Sequence, residues 1–178
     1  MFFFILLELQ SVVHPLMLFR ILTYMHALLS DVVKNAGNEA YRKDFKFPVI
    51  VPIVLYNGKE PWTVPLRYKD KTKRVPDVEG ALDFSYILID VHRFDRRKLL
   101  EQGNLIGGVF ALEQASDAMD IVHTLRELVQ TLQGFTETEW NLFANWVRKI
   151  LTRGMPRAER DVVDRIIQDS KREEAAQM

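Results

Sequence analysis

Two apolar runs of strand length, residues 2–7 and 49–55, flank a stretch in which Leu18, Ile21, Leu22, Met25, Leu28, Leu29 and Val32 recur at spacings of three and four. This order constrains the fold more than any other feature, because it reads as strand, helix, strand. The two strands are then parallel neighbours joined by a crossover that is expected to be right-handed. Pro15 suits the first turn of the helix and Gly37 suits its C-terminal cap, so the helix is expected to end near residues 35–38. The second run is rich in β-branched residues and closes at Tyr56-Asn57-Gly58. Pro52 inside it points to an edge or an irregularity, since proline has no N–H for a ladder. Residues 57–80 read as a long loop broken by Gly58, Pro61, Pro65, Pro76 and Gly80, and residues 84–91 as a further strand.

From Asn104 onward the periodicity is helical throughout. Ile121, Val122, Leu125, Leu128, Val129 and Leu132 make one apolar stripe that Gly134 is expected to end. Thr136 with Glu139 has the spacing of a capping box, which starts a helix carrying Trp140, Phe143, Val147, Ile150 and Leu151 on one face. Gly154 and Pro156 stop it, and Val162, Val163, Ile166 and Ile167 anchor a last helix over residues 158–171, with a fraying charged tail behind it. The expected fold class is α/β, a sheet with flanking helices within residues 1–100, followed by a helical region over 104–178 that packs on or beside it.

The 178 residues are 48% hydrophobic and 27% charged, ordinary values for a globular chain with a substantial core. Basic and acidic residues balance at 24 each, which counts against strong DNA binding by the surface as a whole and directs attention to local clusters. With no cysteine, disulfides, thiolate nucleophiles and cysteine metal sites are excluded. Residues 1–7 lack a basic leader and Glu8 ends their apolar run early, so they do not read as a secretion signal. No stretch is long enough to span a bilayer. A cytoplasmic protein without membrane contact is the expectation.

Glu8 and Gln10 stand two apart at the end of the first strand, and period 2 puts both on one face. On its own such a pair is usually a solvated strand end. Arg20 and Tyr24 lie four apart on the polar stripe of the following helix. Arg67, Lys69, Lys71, Lys73 and Arg74 form a basic cluster in the long loop, suited to sequence-independent phosphate contacts and equally to a solvated loop. Arg93, Arg96, Arg97 and Lys98 form a second. His14, His26, His92 and His123 have no metal-ligand spacing, Trp140 belongs to a core face, and Gly107-Gly108 lacks the lysine and hydroxyl sequel of a phosphate loop.

Beyond these elements, Glu8-Leu9-Gln10-Ser11, His14-Pro15, the run from Phe19 to Met25, Pro52-Ile53-Val54-Leu55-Tyr56-Asn57-Gly58, Glu60-Pro61-Trp62 and Phe84-Ser85-Tyr86-Ile87-Leu88-Ile89-Asp90 follow one another in a distinctive order. In that order the chain, over about residues 2–92, resembles the recombination-promoting nuclease and putative transposase family, also called YhgA-like, of the PD-(D/E)XK restriction-endonuclease-like superfamily. The resemblance implies a magnesium- or manganese-dependent DNA endonuclease. Glu8 then matches a catalytic, metal-binding glutamate, Gln10 matches the catalytic position held by lysine elsewhere in the superfamily, and Arg20 and Tyr24 accompany them toward DNA. The family also uses an aspartate upstream of the pair, whereas residues 1–7 contain no acidic side chain. The expectation is an N-terminally truncated, incomplete nuclease core whose catalysis is impaired. The alternative is a non-catalytic DNA-binding or protein-interaction remnant of a mobile element. An exposed strand edge at residues 2–7 further suggests a homo-dimer.

Overall fold

The computed structural model describes residues 3–73, 80–132 and 135–177. The chain divides into two compact units, Met1–Asp90 and Val91–Met178. Among the described residues the fold is mixed α/β, a three-stranded parallel sheet and six α-helices.

In the first unit the strands β1 (Phe3–Gln10), β2 (Val49–Tyr56) and β3 (Ile87–Asp90) lie in the order β1-β2-β3, all parallel. Helix α1 (Met17–Ala36) connects the first two. Its backbone leaves the helix at Gly37, where φ is +54° and the Gly37 N–H donates to the Val33 carbonyl, a conformation that side chains with a Cβ disfavour. Register follows from the pleat: Leu6, Glu8 and Gln10 share a face with Pro52, Val54, Tyr56, Leu88 and Asp90. Met17, Leu18 and Ile21, in the first turns of α1, bury themselves against Leu6, Val54, Tyr56 and Leu88 of that face. Each fully buried member of this cluster contributes about 1.5–3 kcal/mol relative to exposure.

Pro52 sits in the central strand. The ladder between β2 and β3 begins only at Ile53–Ile87, so at Pro52 the strand has a neighbour on the β1 side alone and proline is tolerated there. The third strand is shorter than the 84–91 run suggests. Ser85 instead bridges Arg67 in antiparallel fashion, with the Tyr68 N–H donating to the Phe84 carbonyl at 2.9 Å and the Tyr86 N–H to the Leu66 carbonyl at 3.1 Å. What ties this loop down is aromatic: the Trp62 indole donates to the Tyr86 hydroxyl at 3.0 Å, and Tyr68 stacks on Phe84 at 5.2 Å. Gly58 is required by close approach, because a Cβ there would run into the Tyr56 hydroxyl and the Ser11 carbonyl.

In the second unit α2 (Arg96–Glu101), α3 (Leu105–Glu113), α4 (Ala118–Thr131), α5 (Glu137–Trp146) and α6 (Arg157–Gln177) enclose Leu112, Leu125, Leu128, Trp140, Phe143, Val147, Val163 and Ile167. Asp95, Asn104, Asp117 and Thr136 cap the starts of α2 to α5, each accepting a backbone N–H that the helix itself cannot satisfy. At Thr136 the box with Glu139 is complete. Gly108 lets α3 approach Leu128 of α4 more closely than a Cβ would allow, which gives the Gly107-Gly108 pair a packing role. After α5 the chain makes a π turn over Val147–Leu151, and α6 begins beyond Gly154 and Pro156. It continues past residue 171, where a frayed tail was expected. Gly134, the expected stop of α4, lies outside the described residues. No described helix is long and apolar enough to cross a membrane.

Candidate functional site

Glu8 and Gln10 project from the same face at the end of β1, and α1 crosses that face so that Arg20 and Tyr24, one turn apart, reach them. The Arg20 guanidinium donates through Nη2 both to Glu8 Oε1 and, at 3.2 Å, to the Tyr24 hydroxyl, with its carbon 5.9 Å from the Tyr24 ring centroid. Gln10 Nε2 donates to the same Glu8 Oε1 at 2.8 Å and to the Leu9 carbonyl at 2.9 Å. Both partners of the amide nitrogen are pure acceptors, which fixes its orientation. The Tyr24 hydrogen bond foremost, joined by the Glu8 charge, holds the Arg20 pKa above its ordinary value against the opposing effect of burial. The Glu8 side chain is only 15% exposed and that of Arg20 31%.

These bonds leave specific atoms over. Glu8 Oε2, Gln10 Oε1 and the Nε and Nη1 groups of Arg20 have no protein partner among the described residues. An anionic oxygen, a neutral acceptor and further N–H donors therefore belong to three side chains joined at Glu8 Oε1 at one strand end. Tyr56 and Asp90 are in register with Gln10 on the neighbouring strands. The Tyr56 hydroxyl donates to the Glu60 carbonyl at 2.6 Å, and burial first, then the charges of Asp90 and Glu60, push its pKa up. Asp90 is buried at the end of β3, two strands or roughly 10 Å from Gln10 at ordinary strand spacing. Among the described residues no cluster of three or more His, Asp or Glu side chains could hold a metal ion.

The described basic side chains of the loop, Arg67, Lys69, Lys71 and Lys73, are all exposed. Arg67 is committed to Asp83, donating at 2.7 Å through Nε, and this bond draws the Asp83 pKa down. Lys69, whose charge acts on Asp83, Lys71 and Lys73 are exposed, while Arg74 lies outside the described residues. In the second cluster Arg96 is held by Asp120 through two bonds of 2.6 and 3.0 Å and also meets Thr124. Its charge is neutralised in place. The pairing was not visible in the sequence, since 24 residues separate the partners and no helical or strand period links them. Trp62 and Trp140 are buried packing residues, and the His14 Nδ1 accepts from the Leu16 N–H at 3.3 Å.

With this geometry in hand, comparison with known proteins gives one match: the model of the family described as putative transposase, YhgA-like, covers residues 1–142. No curated protein and no solved structure matches.

Proposed function

The chain belongs to the YhgA-like putative transposase family, and from that premise we propose that it is a metal-dependent DNA endonuclease of the restriction-endonuclease-like kind, with weak catalysis. The observation that carries the reading is that Gln10 and Arg20 both bond Glu8 Oε1 at the end of β1 and leave Glu8 Oε2, Gln10 Oε1 and further Arg20 N–H groups without a partner among the described residues. Magnesium and manganese take oxygen ligands and are commonly held by one or two carboxylates together with water and substrate phosphate. Glu8 Oε2 fits as one such ligand, and when bound there the ion supplies Lewis-acid polarisation of the phosphodiester and a more acidic water.

The chain's own groups do the rest. Arg20, held through Nη2 by Glu8 and Tyr24, offers a further N–H group to a phosphate oxygen as a single charge-assisted hydrogen bond. Gln10 Oε1 accepts a hydrogen from the attacking water and orients it. An amide takes no proton at neutral pH, so Gln10 positions the nucleophile without acting as a base. Lys69, Lys71, Lys73 and Arg74 add diffuse contacts to the DNA backbone. Among the described residues no group of three or more His, Asp or Glu side chains could hold a metal ion, so an ion at Glu8 would rest mainly on water and substrate phosphate, and both its occupancy and its placement suffer.

Nicking of supercoiled plasmid with magnesium or manganese tests this. Slow nicking is expected, lost with chelator and in Glu8→Ala, and reduced in Arg20→Ala. Salt-sensitive DNA binding with no metal-dependent nicking at any enzyme concentration would instead favour the non-catalytic DNA-binding reading.

A further inference from the structure

The face of the sheet opposite α1 carries Phe3, Ile5, Leu7 and Leu9 of β1, Val49, Val51, Ile53 and Leu55 of β2, and Ile87 and Ile89 of β3. Phe3, Ile5, Leu7, Leu9, Val49 and Ile87 are each more than half exposed. Not one of the ten is polar. Parallel sheets are ordinarily covered on both faces, and their strands read as continuous apolar runs for that reason. The runs in β1 and β2 are of this kind, yet only the α1 side of the sheet carries a packed cluster in the first unit.

The area is large. Six aliphatic and aromatic residues at this exposure leave roughly 600 Å² of contiguous apolar surface, at the upper end of the largest patch on a typical monomer. It approaches the roughly 800 Å² that each partner buries in a stable interface of standard size.

We propose that this face is where a second copy of the chain docks, the two sheets packing face to face about a two-fold axis. Three properties select a second copy. A two-fold interface brings the same patch against itself, and a patch without charge sets no like charges against each other. The area per copy reaches the lower end of what stable interfaces bury, about 1,200 Å² in total. The face is built from regular strands in uninterrupted register, so two of them stack at the usual inter-sheet distance of about 10 Å with their side chains interdigitated. The dimer contact lies on the sheet face opposite Glu8 and Gln10 and is independent of the nuclease reading. Ile5 and Leu7 lie midway along β1, the edge strand whose side chains supply most of the exposed patch.

Sedimentation or light scattering of the full chain at micromolar concentration provides the test. The chain should run as a discrete dimer, and Ile5→Lys with Leu7→Lys should return a monomer, weakening association at least about tenfold. Both residues are already solvent-exposed, so the helical circular dichroism should be retained. Val12→Lys, equally exposed but off this face, should leave the dimer intact. A second readout uses the absence of native cysteine. A spin label on Leu7→Cys should show a short intermolecular dipolar coupling. A wild-type monomer, a dimer indifferent to the two lysines, open-ended aggregates without a discrete dimer, or no coupling at Leu7 would each overturn the proposal.

Discussion

Acidification should remove a defined part of the stability of the second unit through Asp120. Its carboxylate accepts two bonds from Arg96 and the Ser116 N–H at 2.9 Å, and these, the Arg96 bonds foremost and against the opposing effect of burial, lower its pKa from 3.8 to about 2. At 1.36 kcal/mol per unit the depression corresponds to roughly 2.4 kcal/mol. The two side chains are 25% and 32% exposed, and solvent screening reduces the figure to roughly 1–2 kcal/mol. Because the folded pKa lies below the unfolded one, this stabilisation is complete above about pH 4 and is lost as pH falls through about 2. Asp120→Asn should therefore destabilise the chain by about 1–2 kcal/mol at neutral pH, and the gap to wild type should close toward pH 2. Urea unfolding followed by tryptophan fluorescence reads the second unit through Trp140 and Trp146. A gap of equal size at neutral and acid pH would refute the ion-pair account and assign the loss to packing.

Gly58→Ala should lower thermal stability by about 1–3 kcal/mol, because the added methyl overlaps the Tyr56 hydroxyl and the Ser11 carbonyl; an unchanged melting temperature would show that the turn relaxes freely. Thr136→Ala removes the hydroxyl half of the α5 capping box, leaving the backbone N–H of residue 136 to the Glu139 carboxylate, and should cost about 1 kcal/mol in chemical denaturation, whereas a neutral result would mean that the hydroxyl contributes nothing to α5. Replacing Lys69, Lys71 and Lys73 together by glutamate should weaken duplex binding and flatten its salt dependence by up to about three units in the log–log slope, measured by fluorescence anisotropy; an unaltered slope would make the loop a bystander.

Much of the local structure was legible because its physics is local. Period 2 in β1 put Glu8 beside Gln10, period 3.6 in α1 put Arg20 beside Tyr24, and the strand–helix–strand order brought the two pairs together. The Thr136–Glu139 box was readable for the same reason. What escaped depends on residues distant in sequence. Pro52 argued for an edge or an irregularity and yet lies in the central strand, because the short reach of β3 decides whether its missing N–H matters. Residues 84–86 have strand composition, but the loop at 66–68 claims their backbone bonds. Helix α2 spans only six residues, too few for a period to show, and its Arg96 finds Asp120 across 24 positions. The bare apolar face of the sheet followed from the same alternation that located Glu8, but which face α1 covers is a tertiary fact.

Manganese binding bears most directly on the central claim that Glu8 is a metal ligand. Electron paramagnetic resonance titration of the chain with Mn²⁺, in the presence of a short duplex to supply phosphate, should reveal one weak site. That site should disappear in Glu8→Ala and survive in Asp31→Ala, an exposed carboxylate on α1 that takes no part in the cluster. Undiminished Mn²⁺ binding by Glu8→Ala would contradict the account, since the only anionic oxygen it assigns to the ion would then be dispensable.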